Sequence, residues 1–458
     1  MEIIPTIRAE VQTYLIRKSL TMTEFGHMID LNVGTVSGIV TGNRSISVHQ
    51  LDRITMGMNL PPDYFYERYI DECIEEEPLN WRRISPFLYR CVELGRLDCL
   101  RRVVGMLLDN PIYLPSLFEV AEDSYKKGFT EAAAFLYENV AEGEKYQYSE
   151  RLAVCQYRLF TIRIGDDQEK NYDAAVQFEP YVERLDEIDQ LEALKDLANT
   201  YRSLRKWDKL ELFAKALGDK AKIQYNLEQK KRHHMNKDNS KKPKFPLFAY
   251  WAFSHLLRAE ACEGRKDYEQ ALQHTYAYSD LSWVNATDET TLKWKKKYED
   301  WAVVNTYLNK LLSGDKSVLP DYVAYISSRK DEILPALDNI LEAANRYHFD
   351  VDNILNQFEE EIISFLEQKK VEGLYTQRFT TERYTHFSRE LAIYLLRKGR
   401  FSEGFTFLFS CLEKSAEANN RIQAIRCMRL FTHFKEHASA NTKAVYGELI
   451  KAVNEDEE

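Results

Sequence analysis

Apolar positions in residues 6–18, TIRAEVQTYLIRK, recur at helical spacing, with Ile7, Val11, Tyr14 and Leu15 on one stripe. Thr23 is placed to cap a second helix running through Ile29. Asn32 is placed to cap a third, VGTVSGIV, whose Val36, Ile39 and Val40 face inward. TGNR at 41–44 reads as a turn, with Gly42 or Asn43 suited to positive φ. Ser47 caps a fourth helix, VHQLDRITMGM, with Val48, Leu51, Ile54 and Met58 on its apolar side, and Pro61 and Pro62 end it. The pattern over 1–70 predicts a compact helix-turn-helix head.

From about residue 78 the pattern changes to helix pairs. A small or apolar residue in one helix is followed by a Gly or polar turn. An aromatic residue or Leu then opens the next helix, with Ala, Gly or Leu three residues later. LYRCVELGRLDCLRRVVGML supplies Leu97, and AEDSYKKGFTEAAAFLYENV supplies Phe129. The other anchors are Tyr172, Trp207, Tyr268 and Phe401. The first five lie 32, 43, 35 and 61 residues apart, scattered around the ~34-residue tetratricopeptide period, and the wide gaps imply insertions. No such pair buries its apolar stripe alone, so stacking is expected to build a solenoid with a concave groove. The expected fold is all-α: a helix-turn-helix domain over 1–70, then tetratricopeptide-like repeats over 78–227 and 245–452.

Residues 228–244, EQKKRHHMNKDNSKKPK, separate the two repeat blocks. Seven Lys or Arg against two acidic residues give +5, with no apolar period, so a solvated basic loop is expected.

Composition fits this organisation. A chain of 458 residues exceeds one core at ~100–200 residues per domain. Gly (17) and Pro (12) are scarce for this length, which favours helix. No apolar run approaches the ~20 residues that span a bilayer, and the N-terminal residues lack a signal-peptide pattern. The seven cysteines form no CxxC pair and read as reduced core thiols of a cytoplasmic protein. A net charge of −10 argues against a general nucleic-acid binder and allows a small DNA-reading head on an acidic body.

Enzyme signatures are weak. HFKEH at 433–437 has the H-x-x-E-H spacing of inverted zinc peptidases, but a third ligand must come from elsewhere and only 21 residues follow. A surface histidine pair is the favoured reading, and His233 and His234 need no metal. There is no phosphate-cradling glycine loop and no GxSxG. The expectation is a non-enzymatic protein with no cofactor.

The head resembles the phage-repressor (Xre-type) domain over about fifty residues, TVSGIVTGNRSIS corresponding to its "TISRIENGKR" stretch. The resemblance implies a third helix in the major groove, with Val33, Gly34, Ser37 and Gly38 facing the bases. Those positions usually carry longer polar side chains. Val33 reaches only a thymine methyl, and Thr35 and Ser37 remain as short hydrogen-bonding groups. Phosphate contacts fall to Arg17, Lys18, Asn43, Arg44 and Ser45. Residues 1–70 hold six Lys or Arg against seven acidic residues, a net of −1, so strong binding calls for a homodimer.

Head and repeats in this order resemble the cytoplasmic peptide-pheromone receptors of Gram-positive bacteria and their phages (the Rap, Rgg, NprR, PlcR and PrgX group, with the arbitrium receptors as relatives). The resemblance implies a quorum-sensing transcriptional regulator. A short signalling peptide lies in the groove and changes how protomers dock on a double-stranded DNA operator. An extended peptide needs side-chain amides for its backbone and cations for its carboxylates. Counting back from Trp207 puts Lys195, Asn199 and Arg202 in the groove. VVNTYLNKLL repeats the text of LANTYRSLRK, so Asn305 and Tyr307 parallel Asn199 and Tyr201, and Arg389 shares the face in the last unit. The alternative is a Rap-like regulator whose head docks a partner protein rather than DNA; the polar-poor third helix favours it.

Overall fold

The computed structural model describes residues 5–75, 79–147, 149–232, 241–285, 288–367, 374–417 and 420–455, and every regular element among them is helical. The fold is all-α. None of these helices is long and apolar enough to cross a membrane. The chain divides into two compact units, Met1–Ile162 and Arg163–Glu458.

The first unit opens with α1 (Ile7–Lys18), α2 (Met22–Met28), α3 (Val33–Val40), α4 (Val48–Gly57) and α5 (Tyr66–Tyr69), the last running into a π-helical turn at Ile70–Glu75. Side-chain caps set the starts of α1 to α4. Thr21, rather than Thr23, caps α2: its hydroxyl takes the Glu24 N–H while the Glu24 carboxylate takes the Thr21 N–H, a reciprocal box. Glu24 then serves as the third residue of the helix, which the sequence alone permitted equally for a later start. Asn32 caps α3 as expected, and Ser47 caps α4 in a second box with Gln50. Gly42 takes the positive φ of the turn, at 82°. Gly26 is required by space: a Cβ there would lie 2.8 Å from the Leu31 carbonyl oxygen, where the chain doubles back from α2 to α3.

Next come α6 (Trp81–Glu93), α7 (Leu97–Leu108), α8 (Leu114–Lys126), α9 (Thr130–Gly143) and α10 (Glu150–Arg163). The head is packed against α6. The Phe87 ring lies 5.0 Å from Tyr66 and 5.2 Å from Tyr69, and Arg90 Nε is 2.8 Å from Asp52 Oδ2.

The second unit holds α11 (Gln168–Phe178), α12 (Glu187–Ser203), α13 (Trp207–Arg232), α14 (Leu247–Gly264), α15 (Tyr268–Ser279), α16 (Glu289–Leu312) and α17 (Leu319–Ser327). These are followed by α18 (Lys330–Tyr347), α19 (Asp352–Gln357), α20 (Glu359–Glu367), α21 (Leu374–Arg397), α22 (Phe401–Glu417), α23 (Arg421–Phe434) and α24 (Ala440–Glu455). Each of α12 to α16 packs on the next, and the alternate helices α12, α14, α16, α18, α21 and α23 also touch in succession.

A shared turn explains the regularity. Leu97, Trp207, Tyr268 and Phe401 each begin a helix, and two residues before each sits a left-handed residue: Gly95, Arg205, Lys266 and Gly399. The amide after that residue returns to a carbonyl of the preceding helix, as Arg96 does to Cys91 and Lys206 to Tyr201. Phe129 instead stands just before α9, and Tyr172 lies inside α11. Small residues let helices close up: a Cβ on Gly264 would meet the Trp207 ring at 2.2 Å.

The basic segment departs from expectation. Helix α13 continues to Arg232, so 228–232 is helical rather than loop. At the far end Lys241 pairs with Asp186 and Asp189, and Lys244 lies 3.5 Å from Glu192. His233 and His234 lie outside the described residues. All seven cysteines are buried and unbridged.

Candidate binding cavity and helix-turn-helix surface

Alternate helices of the second unit enclose a cavity of about 1300 Å³. Its wall is drawn from α11, α12, α14, α16, α18, α21 and α23, with Trp207 at the start of α13. Nine Lys or Arg and seven Asp or Glu line it, so the wall is net basic in a chain of net charge −10. Helix α21 contributes most of the chemistry. Arg389 Nη2 is 2.6 Å from Glu390 Oε1, and its buried Nε has no hydrogen-bond partner among the described residues. Asn345 on α18 donates from Nδ2 to the Glu390 carbonyl and to Glu390 Oε2, both at 2.8 Å, and its Oδ1 is likewise buried and unpartnered. Arg397 donates to the Asn345 carbonyl. Such unmet polar atoms cost about 1–3 kcal/mol each, which a ligand can return.

Arg426 on α23 lines the same wall and makes no ion pair among the described residues. Burial, then Arg389 and Arg205, hold its guanidinium below its ordinary range. Three cations therefore face one region, which favours an anion. Deeper in the wall, burial and then Glu260 push the Glu263 carboxyl up to about 7, against the Asn309 amide, which donates to it at 2.7 Å. His386 is held above its ordinary value by Asp338, 2.7 Å away, against the opposing effect of burial.

Of the six residues expected in the groove, Arg202 and Arg389 meet in this cavity. Arg202 is tied to Glu260, with Nη2 to Oε1 at 2.6 Å. The other four do not line it. Lys195 turns to Glu192 at 2.6 Å and lies over the Phe245 ring. Asn199 is half-buried on α12. Asn305 donates to the Tyr278 hydroxyl at 2.7 Å, and Tyr307 stacks on Tyr322 with centroids 5.6 Å apart, inside a hydrophobic cluster. In α16 the Asn-x-Tyr text marks packing. The same text occurs a third time, as AANRY at 343–347, and there Asn345 does face the cavity.

In the head, Gly34 is exposed on α3, while Val33, Thr35 and Ser37 are half-buried. Arg17, Lys18, Asn43 and Arg44 are exposed. Arg44 donates to Thr35 Oγ1 at 3.0 Å, and Asn43 to Thr41 Oγ1 at 3.1 Å, so the turn after α3 is braced against it. Exposed Ile16, Met28 and Met56 add an apolar surface to α1, α2 and α4.

HFKEH does not form a helical ligand pair. Helix α23 ends at Phe434 and a 3-10 turn, Lys435–His437, follows, so His433 and His437 are not one α-turn apart. His437 stacks on Phe401 at 4.2 Å.

No protein-family model, curated protein sequence or solved structure matches this chain.

Proposed function

We propose that the protein is a peptide-responsive regulator: its second unit takes a short acidic oligopeptide in the cavity, and its helix-turn-helix head engages double-stranded DNA as a homodimer. The observation that carries the peptide half is the cavity wall. At about 1300 Å³ it exceeds the ~300–1,000 Å³ typical of small-molecule pockets. It offers amides for a peptide backbone, and Arg389 and Arg426 for a carboxylate. Its wall is shared by six successive alternate helices, so occupancy bears on how those helices pack. The DNA half rests on the capped α2–turn–α3 arrangement and the resemblance of its sequence to Xre-type domains.

The test is affinity selection of a randomised hexapeptide pool by the full chain, read by mass spectrometry. Enrichment of peptides with Asp, Glu or a required free C-terminus, lost in Arg389→Ala/Arg426→Ala, supports the reading. Equal recovery by that double variant refutes it.

A second reading has its own observation. Exposed Ile16, Met28 and Met56 and the short side chains of α3 suit a protein partner for the head. Binding to a defined operator that weakens steeply with salt separates DNA docking from protein docking.

A further inference from the structure

Helices α13, α14 and α15 pack in succession, and their junction collects side chains that bind metals. Glu211 comes from α13, Cys262 from α14 and His274 from α15. One carboxylate oxygen, the Sγ atom and one ring nitrogen lie within 4.8 Å of one another. Cys262 is buried, and the other two are half-buried. His255, seven residues before Cys262 on α14 and so on its face, places Nδ1 3.2 Å from His274 Nδ1. None of the four lines the large cavity. A separate observation also points to a ligand. Glu211 Oε2 is buried and has no hydrogen-bond partner among the described residues; Arg265 Nη2 stands 3.8 Å from it.

We propose that Glu211, Cys262 and His274 hold a borderline-soft divalent cation of the zinc type. A mixed sulfur, nitrogen and oxygen set is what zinc takes, whereas magnesium and calcium take oxygen alone. Zinc bonds of ~2.0–2.3 Å set ligand atoms roughly 3.3–3.8 Å apart, so the three groups close by about 1 Å on binding, leaving a fourth position for water. The hydrogen bond between His255 Nδ1 and His274 Nδ1 holds the His274 ring in place beside Glu211 and Cys262.

Arg258 Nε binds Glu211 Oε1 at 2.8 Å and turns Oε2 inward. Arg265 Nη2 stands 3.6 Å from Cys262 Sγ. On binding, Cys262 gives its proton to solvent, and the carboxylate and thiolate balance the two charges of the ion.

The experiment loads the purified full chain with zinc, removes the excess and measures bound metal by mass spectrometry. Cobalt loading in parallel reads the thiolate-to-cobalt charge-transfer band. About one ion per chain and a thiolate band are expected. Cys262→Ala and His274→Ala lose the band and bind at least ~100-fold more weakly, while His255→Ala binds ~10–100-fold more weakly. Should a variant fail to fold, release of one proton per ion by the wild-type chain decides in its place. No stoichiometric metal in the wild type, or unchanged retention by folded Cys262→Ala, overturns the proposal.

Discussion

Arg426→Ala separates binding from stability. Arg426 keeps part of its surface open to solvent at the cavity wall, and partial burial, then Arg389 and Arg205, disfavour its charge. Removing it relieves repulsion and breaks no ion pair found among the described residues. The melting temperature should therefore stay level or rise, with the change in stability within about 0.5 kcal/mol. Binding should behave in the opposite way. A hydrogen bond to a charged group is worth about 1.5–3 kcal/mol, so Kd for an acidic hexapeptide from the selected pool should rise roughly 10- to 150-fold. Isothermal titration calorimetry reads the affinity, and differential scanning calorimetry reads the stability. Arg429 lies one turn further along α23, is exposed and does not line the cavity, so Arg429→Ala is the matched control. Equal affinity for wild type and Arg426→Ala would refute the assignment, as would a loss that Arg429→Ala reproduces.

Three further outcomes follow from the geometry. Gly26→Ala forces a methyl to 2.8 Å from the Leu31 carbonyl, so chemical denaturation should show the first unit destabilised by about 1–3 kcal/mol; an unchanged midpoint contradicts the close approach. Glu263, raised from 4.5 to about 7, binds a proton more tightly folded than unfolded, so its contribution is present below pH 4.5 and is lost as pH rises through 7. Glu263→Gln should flatten the fall in stability between pH 5 and 7 by on the order of 2 kcal/mol, measured by urea titration against wild type; parallel curves contradict it. Lys18→Ala should lower the salt dependence of operator binding by about one ion per protomer, and an unchanged slope removes Lys18 from the phosphate contacts.

The first four helices of the head were legible because each start carries its own capping chemistry, and local rules decide there. Thr21 and Thr23 both precede helical text; only the reach of Glu24 back to Thr21 selects between them. In the second unit the anchors Trp207, Tyr268 and Phe401 mark helix starts because a left-handed turn two residues earlier recurs with different residues: Arg205, Lys266 and Gly399. The cavity was only half legible. Helical phase puts Arg202 and Arg389 on the cavity wall, but Asn305 and Tyr307 carry the same local text as a cavity residue and are spent on Tyr278 and Tyr322. Which copy of a repeat faces inward depends on neighbours far away in sequence. The reach of α13 to Arg232 through a charged run also escaped periodicity, since that run has no apolar stripe to read. The Glu211, Cys262 and His274 cluster joins three helices with no ligand spacing along the chain.

A crystal structure of the full chain grown with a hexapeptide enriched from the pool decides whether the cavity is a peptide site. The peptide is expected in the cavity between α12 and α23, with a carboxylate against Arg389 and Arg426. A peptide bound on the first unit, or outside that cavity, would contradict it.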